Sequence, residues 1–236
     1  GVNDTQTFAG SPAPMPPPWQ AEGDLISGLR AQHAVFSGKT HTVEFAFGGL
    51  GVNSHWGTPR NPWDANTHRV PGGSSSGAGV SLCEGTALVA LGSDTAGSVR
   101  IPASVTGNVG LKTSYGRWPV SGIFPLSPTL DTAGILTRSV ADTVTAFSAI
   151  DPHQRSYGPR LAREIARCTP ADFVIGTGEP ALWDDCDPGI SETVDEALRV
   201  LGRAGVQTVS AALPEAAPAI ELLKVGSVVA AEIDEM

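Results

Sequence analysis

Two glycine- and serine-rich runs, Gly72-Gly73-Ser74-Ser75-Ser76-Gly77 and Gly92-Ser93-Asp94-Thr95-Ala96-Gly97-Ser98, are separated by only enough chain for one helix and one strand. Glycine opens backbone conformations closed to other residues, so such a run reads as a tight turn that can aim consecutive N–H groups at one point. Between the runs, Ala78 to Gly85 has the small side chains of a closely packed helix and Ala87 to Leu91 is an apolar stretch of strand length. One Gly/Ser run is ordinary loop punctuation. Two of them around a single helix and strand imply a built feature. A serine ending the second turn, with a helix beginning behind it, would have its hydroxyl beside amide donors, the arrangement acyl transfer requires.

The rest of the chain supplies the scaffold. Leu25, Ile26 and Leu29 carry helical spacing within 22–34, and Val35 to Lys39 reads as a short strand. The proline-dense stretch Ser11 to Pro18 reads as an exposed extended loop, since proline fixes φ and lacks a donor. A long polar connection runs from Gly48 to Gly73. Helices are expected over Ser139 to Ile150, with Val140, Val144 and Phe147 on one face, and over Ile190 to Leu201. Strands are expected at Phe173 to Ile175 and Val206 to Ser210. Helices and strands alternating to the end predict an α/β layer fold with a mostly parallel or mixed sheet flanked by helices.

Composition narrows the function classes. Of 236 residues, 24 are acidic and 15 basic, giving a formal charge of −9 with the basic residues scattered, against a nucleic-acid footprint. No apolar run reaches the ~20 residues of a membrane span, and Gly1 to Ser11 does not resemble a signal peptide. Cys83, Cys168 and Cys186 form neither a CxxC pair nor a disulfide framework, which favours a reducing compartment, with the cytoplasm expected. Gly1 is not an initiator methionine, and Val228 to Met236 is a helical-looking stretch without a stop signal, so a single domain truncated at both ends is expected.

The run GGSSSG followed by DTAGSVRIP, with 24 positions between Ser74 and Ser98, closely resembles the amidase signature family. Asn61-Pro62-Trp63-Asp64, Gly110-Leu111-Lys112 and Leu130-Asp131-Thr132-Ala133-Gly134 match as well, so the similarity spans about residues 25 to 145. The resemblance implies an amidase-signature fold and a hydrolase of carboxamide C–N bonds needing no cofactor. It implies Ser98 as the acylating nucleophile and Ser74, after a cis peptide bond, as the serine that relays its proton. The amides of Thr95, Ala96, Gly97 and Ser98 would form the oxyanion hole, Asp94 and Arg100 would brace that loop, and Ser75 would support Ser74. The substrate would be a small-molecule amide, and no nucleic acid or membrane partner is implied. An oligomer of identical copies remains open.

The family's third catalytic residue is a lysine base well before the bridging serine. The chain has only Lys39, Lys112 and Lys224; Lys39 sits 35 residues before Ser74 at a scaffold position, and Lys112 follows both serines. With Thr7 to Ser11 aligned to the family's stretch after its base, the lysine would precede Gly1. The 236-residue chain alone is therefore expected to be inactive or nearly so.

Other readings account for less. Gly73-Ser74-Ser75-Ser76-Gly77 also satisfies G-x-S-x-G with Ser75 as nucleophile, but a nucleophile elbow follows a buried strand and the stretch Trp63 to Pro71 is polar and proline-bounded. Gly38-Lys39-Thr40 ends like a phosphate-binding loop, yet His33 occupies the position that needs glycine. The five histidines are dispersed, and Asp184-Asp185-Cys186-Asp187 reads as a solvated acidic loop, so no metal is expected. Trp56, Trp63, Trp118 and Phe45 to Phe47 read as core or sheet-covering residues before pocket walls. From another class, the amidase-like component of a glutamine-dependent amidotransferase, working with partner subunits, would share both serine loops.

Overall fold

The computed structural model describes residues 1–155, 160–178, 182–183, 186–225 and 228–234. Contacts divide it into two compact units, one of residues 1–162 with 231–236 and one of residues 163–230.

The first unit is organised around β3 (Thr132–Thr137), all six of whose positions are buried. It pairs antiparallel with β1 (Val89–Asp94) on one side and with β2 (Val109–Lys112) on the other. Side chains alternate across a strand, so the two faces of β3 enter two clusters. Ala133 and Ile135 pack with Leu25, Trp118, Ala146 and Ile150, from α1 (Asp24–Arg30), α4 (Val140–Ile150) and the loop holding Trp118. Leu136 packs with Ala78 and Leu82 of α2 (Ser76–Cys83), Ala90 of β1, Val99, and Ala103 of α3 (Arg100–Thr106). Burying a side chain such as Ile135 contributes roughly 2 to 3 kcal/mol. The sheet is therefore held from both faces.

Helix ends follow their local chemistry. Ser139 Oγ accepts from the Asp142 amide 3.1 Å away and opens α4. The helix buries Thr143, Ala146 and Ile150, while Val140 is exposed, so the apolar face is rotated from the one expected through Val140. Short helices α5 (Pro152–Arg155) and α6 (Arg160–Ile165) follow.

The second unit pairs β4 (Val174–Thr177) with β5 (Gln207–Ser210) in parallel, with α7 (Ile190–Ala204) between them in sequence. Gly189 donates its amide to Glu192 Oε2 at 2.8 Å where α7 begins. Helix α8 (Ala216–Val225) follows, and then α9 (Val228–Asp234), whose residues from Ala231 onward belong to the first unit. The fold is α/β, with one antiparallel and one parallel sheet among the described residues.

Two further local expectations fail. Val35 to Lys39 forms no strand: the chain leaves α1 through His33 at positive φ, and Val35 is almost wholly exposed. The proline stretch is not uniformly exposed, because Met15 is buried and Pro17–Trp19 closes a 3-10 turn. A proline at the first turn of a helix loses no needed donor, and Gln20 Nε2 ties the loop to the carbonyls of Thr7 and Met15 at 3.0 and 2.6 Å. Asp184 and Asp185 of the expected acidic loop lie outside the described residues. Among the described residues no cluster of His, Cys, Asp or Glu could hold a metal ion. No described helix is long and apolar enough to cross a membrane.

Candidate active site

The peptide bond between Gly73 and Ser74 is cis. A side chain on Gly73 would come within 2.6 Å of the Gly51 amide nitrogen, so only glycine fits where the turn passes the 48–51 loop. The Gly73 amide donates to the Gly49 carbonyl at 2.7 Å. The Ser74 carbonyl accepts from the Val43 amide at 3.1 Å, from Thr42 Oγ1 at 3.0 Å and from the Ser76 amide at 2.8 Å. Sequence reasoning assigns the segment His41-Thr42-Val43 no role, and its residue types carry no signal for one; pairing across the fold creates it.

The second turn leaves β1 at Asp94, which is fully buried. Asp94 Oδ1 accepts from the Gly97 amide at 2.8 Å and from Arg100 Nη2 at 2.9 Å; Oδ2 accepts from the Val99 amide and Arg100 Nε, each at 3.1 Å. Burial alone would raise the Asp94 carboxyl pKa, but the Arg100 guanidinium and the Val99 and Gly97 amides outweigh it and hold the group below its ordinary value. Gly97 has φ +125°, a conformation L side chains rarely adopt. Its amide is committed to Asp94, in contrast to the expectation that all four amides of 95–98 face a ligand. The cause is local: the carboxylate at the turn's base reaches three residues forward. The amides of Thr95, Ala96 and Ser98 donate to no protein acceptor among the described residues.

The two turns meet. The Ser75 amide donates to the Ser98 carbonyl at 3.2 Å, and Ser75 Oγ lies 3.5 Å from the Ser93 carbonyl. Ser74 is buried and Ser98 half-buried. Neither hydroxyl makes a hydrogen bond within the protein among the described residues, so the turns are joined through main chain and Ser75 rather than by a direct link between Ser74 and Ser98 side chains. Lys39 donates to the Gln6 carbonyl and to Thr7 Oγ1, at 2.8 and 2.9 Å, and burial lowers its pKa; Lys112 donates to the Thr113 carbonyl at 2.7 Å. Neither amine is directed to the serines.

Beside Ser76, His41 Nδ1 lies 3.2 Å from Ser76 Oγ, and the Gly77 amide donates to the His41 carbonyl at 2.9 Å. His41 Nε2 is buried with no hydrogen-bond partner. Burial lowers the imidazole pKa, and the nearby Gly57 backbone, outside hydrogen-bond geometry, offsets this only in part.

Of the aromatic residues expected in the core or over the sheet only Trp118 is buried; Trp56 and Trp63 are exposed, at 54% and 74%, and tie down loops through their indole N–H groups. Asn61 Nδ2 donates to the carbonyls of Val70 and Val105, and Trp63 Nε1 to that of Thr106 at 2.7 Å, fastening the 48–73 connection that leads into the first turn onto α3. Trp118 is buried, with Nε1 on Asp151 Oδ2 at 3.0 Å. Trp56 donates to the Ser11 carbonyl at 2.9 Å. Phe45 tilts against Phe124, ring centroids 5.5 Å apart. An open hollow of about 560 Å³ along Val2 to Gln6 contains neither serine.

The amidase family matches residues 1–235. The chain belongs to the amidase family. Among curated proteins, this amidase-family chain is 52% identical over 99% of its length to a 2-amino-5-chloromuconic acid deaminase of Comamonas testosteroni, covering 49% of that protein. It is 37% identical over 87% of its length to a glutamyl-tRNA(Gln) amidotransferase subunit from Persephonella marina, covering 43% of it. Among solved structures, an amidase superposes with a TM-score of 0.77 at 33% identity, over 90% of this chain and 46% of that one. A peptide amidase bound to the competitive inhibitor chymostatin superposes at 0.71 with 32% identity, over 90% of this chain and 46% of the other. The amidase-signature fold expected from the two serine runs is thus the fold observed, and the chain spans about half the length of the curated relatives it matches.

Proposed function

We propose that the full-length protein hydrolyses a carboxamide C–N bond through an acyl-enzyme on Ser98. The observation that carries this reading is the bond from the Ser75 amide to the Ser98 carbonyl, which joins the Ser74 turn to a turn with uncommitted amides. Ser98 Oγ attacks the amide carbonyl while its proton passes to Ser74 and on to a lysine base outside Gly1–Met236. The amides of Thr95, Ala96 and Ser98 take the charge developing on the carbonyl oxygen, with Gly97 held by Asp94 as a brace. The C–N bond breaks, the leaving amine takes the proton, and water cleaves the Ser98 ester to the acid. The protein needs no cofactor for these steps, acts in the cytoplasm, and has both compact units within one amidase-signature domain.

The 52% identity to an aminochloromuconate deaminase, against 37% to the amidotransferase component, favours a hydrolytic enzyme; amino-substituted unsaturated diacids, whose C–N bond is an enamine and would not pass through a Ser98 ester, are assayed beside carboxamides to separate the two chemistries. The amidotransferase reading has that 37% relative in its support, and a glutaminase activity that rises with partner subunits would select it. The central test is covalent labelling of the full-length protein with a fluorophosphonate, followed by peptide mapping. Label on Ser98, lost in Ser98→Ala along with ~10⁴-fold or more of the hydrolysis rate, is the expected result. The isolated 236-residue chain is expected to label and hydrolyse poorly. Label on Ser75, or full activity in Ser98→Ala, would remove the assignment.

A further inference from the structure

We infer that Asp131 is a positioning residue for the oxyanion-side turn, acting through the side chain of Thr95. The inference rests on the reading of Ser98 as nucleophile and adds a residue to its support. Asp131 is buried, one position before the fully buried strand β3. One of its oxygens accepts from Thr95 Oγ1 at 2.5 Å, and the other from the amides of Leu126 and Ser127 at 2.8 and 3.0 Å. A hydroxyl on a carboxylate at that separation is a short charge-assisted bond, about twice as strong as a neutral one.

The geometry gives that bond a specific consequence. Threonine is stiff about χ1, so holding its Oγ1 also holds the direction of its own backbone. Thr95 is the first residue of the turn, and Asp94 fixes the turn at Gly97 and Val99. The two carboxylates thus grip the turn at both ends, and the Ala96 and Ser98 amides hang between the grips. Asp131 is itself fixed by a second layer: Ser127 Oγ and Thr129 Oγ1 donate to Glu232 at 2.6 and 2.5 Å, stiffening the loop whose amides hold it. Amide donors aimed before reaction need no reorganisation as charge develops, so slack at Thr95 should appear in the transition state rather than in substrate binding.

The test compares Thr95→Val, Thr95→Ser and Asp131→Asn in the full-length protein by the rate of fluorophosphonate labelling and by amide hydrolysis. Thr95→Val exchanges the hydroxyl for a methyl group; labelling and kcat should fall about tenfold, a loss of ~1.4 kcal/mol in transition-state stabilisation, with KM unchanged and a lower melting temperature because a buried oxygen of Asp131 loses its donor. Thr95→Ser should stay near the parent rate because it restores the bond. The Thr95→Val/Asp131→Asn pair should be no slower than Asp131→Asn alone, since both changes break one interaction. If Asp131 merely staples the 126–131 loop, Thr95→Val will label at the parental rate, and the inference is overturned. A parent protein carrying no label on Ser98 would instead remove the nucleophile assignment, and the inference with it.

Discussion

Strand β3 and strand β5 end in opposite circumstances. Every position of Thr132–Thr137 is buried, whereas every position of Gln207–Ser210 is exposed. In the first unit two clusters of apolar side chains close over the sheet, and both serine turns grow directly from its elements. In the second, α7 has the sharply two-sided pattern of an amphipathic helix, with its face through Val200 and Leu201, yet none of its residues is buried. A site that must hold amide directions to a fraction of an ångström belongs on the kind of scaffold the first unit provides. Periodicity sufficed to form the elements of both units. Among the described residues the second unit buries only Val206 and Val229 of its apolar side chains.

The sharpest way to break that contrast is to cut side chains from the two strands. Ile135→Ala removes a fully buried side chain from between α1 and α4 and should cost about 2 to 5 kcal/mol, the range for such truncations in a packed core. Val209→Ala in β5 should stay within about 0.5 kcal/mol, as for surface changes that touch no special feature. Urea midpoints measure both. Equal losses would mean that β5 is covered in the folded protein, and the contrast between the units would not hold.

A smaller effect probes how the first unit's core reaches into the turn. Asp94→Asn leaves Arg100 and the Gly97 and Val99 amides without their carboxylate and should destabilise by roughly 3 kcal/mol, the lower end for a broken buried pair because the Arg100 side chain is 52% exposed. The pH dependence has a definite sign. A carboxyl held below its ordinary value contributes stability above that value, and the contribution disappears as pH falls through the depressed folded pKa. Wild type should therefore lose stability below pH 3.8 by an increment absent from Asp94→Asn, measured by acid unfolding of the two proteins. Parallel acid transitions would show that the Asp94 contacts do not hold the turn.

What the sequence discloses and what it hides divide along the same line. The two Gly/Ser runs, the helices at 76–83, 140–150 and 190–204, and the strands at 174–177 and 207–210 can be read because each depends on local spacing or turn chemistry. The second run overlaps a strand: Gly92, Ser93 and Asp94, turn residues by composition, belong to β1, because Gly134 and Ala133 of β3 pair with Gly92 and Ser93 and admit small residues there. β2 and β3 escape notice, since Thr-Ala-Gly-Ile-Leu-Thr is covered on both faces and shows no alternation. The grip of Asp131 on Thr95 spans 36 residues, and no local pattern records such a pair. In the sequence His41 is only one of five scattered histidines.

That histidine yields the smallest expected effect and the finest probe of the Ser74 turn. Its Nδ1 faces Ser76 Oγ, its carbonyl holds the Gly77 amide, and the next two residues hold the Ser74 carbonyl. Protonation would place a charge whose Nε2–H has no acceptor in a buried position, so the fold favours the neutral ring and lowers its pKa from 6.5. As pH falls below 6.5 the unfolded chain takes up the proton first, so stability declines, and the decline ends once pH passes the depressed folded pKa. One proton limits the slope to about 1.4 kcal/mol per pH unit. Subtracting the profile of His41→Asn isolates this increment from the other four histidines. Identical profiles for the two proteins between pH 6.5 and the acid transition would mean that the His41 ring is solvated and adds nothing to the main-chain bonds that hold the first turn.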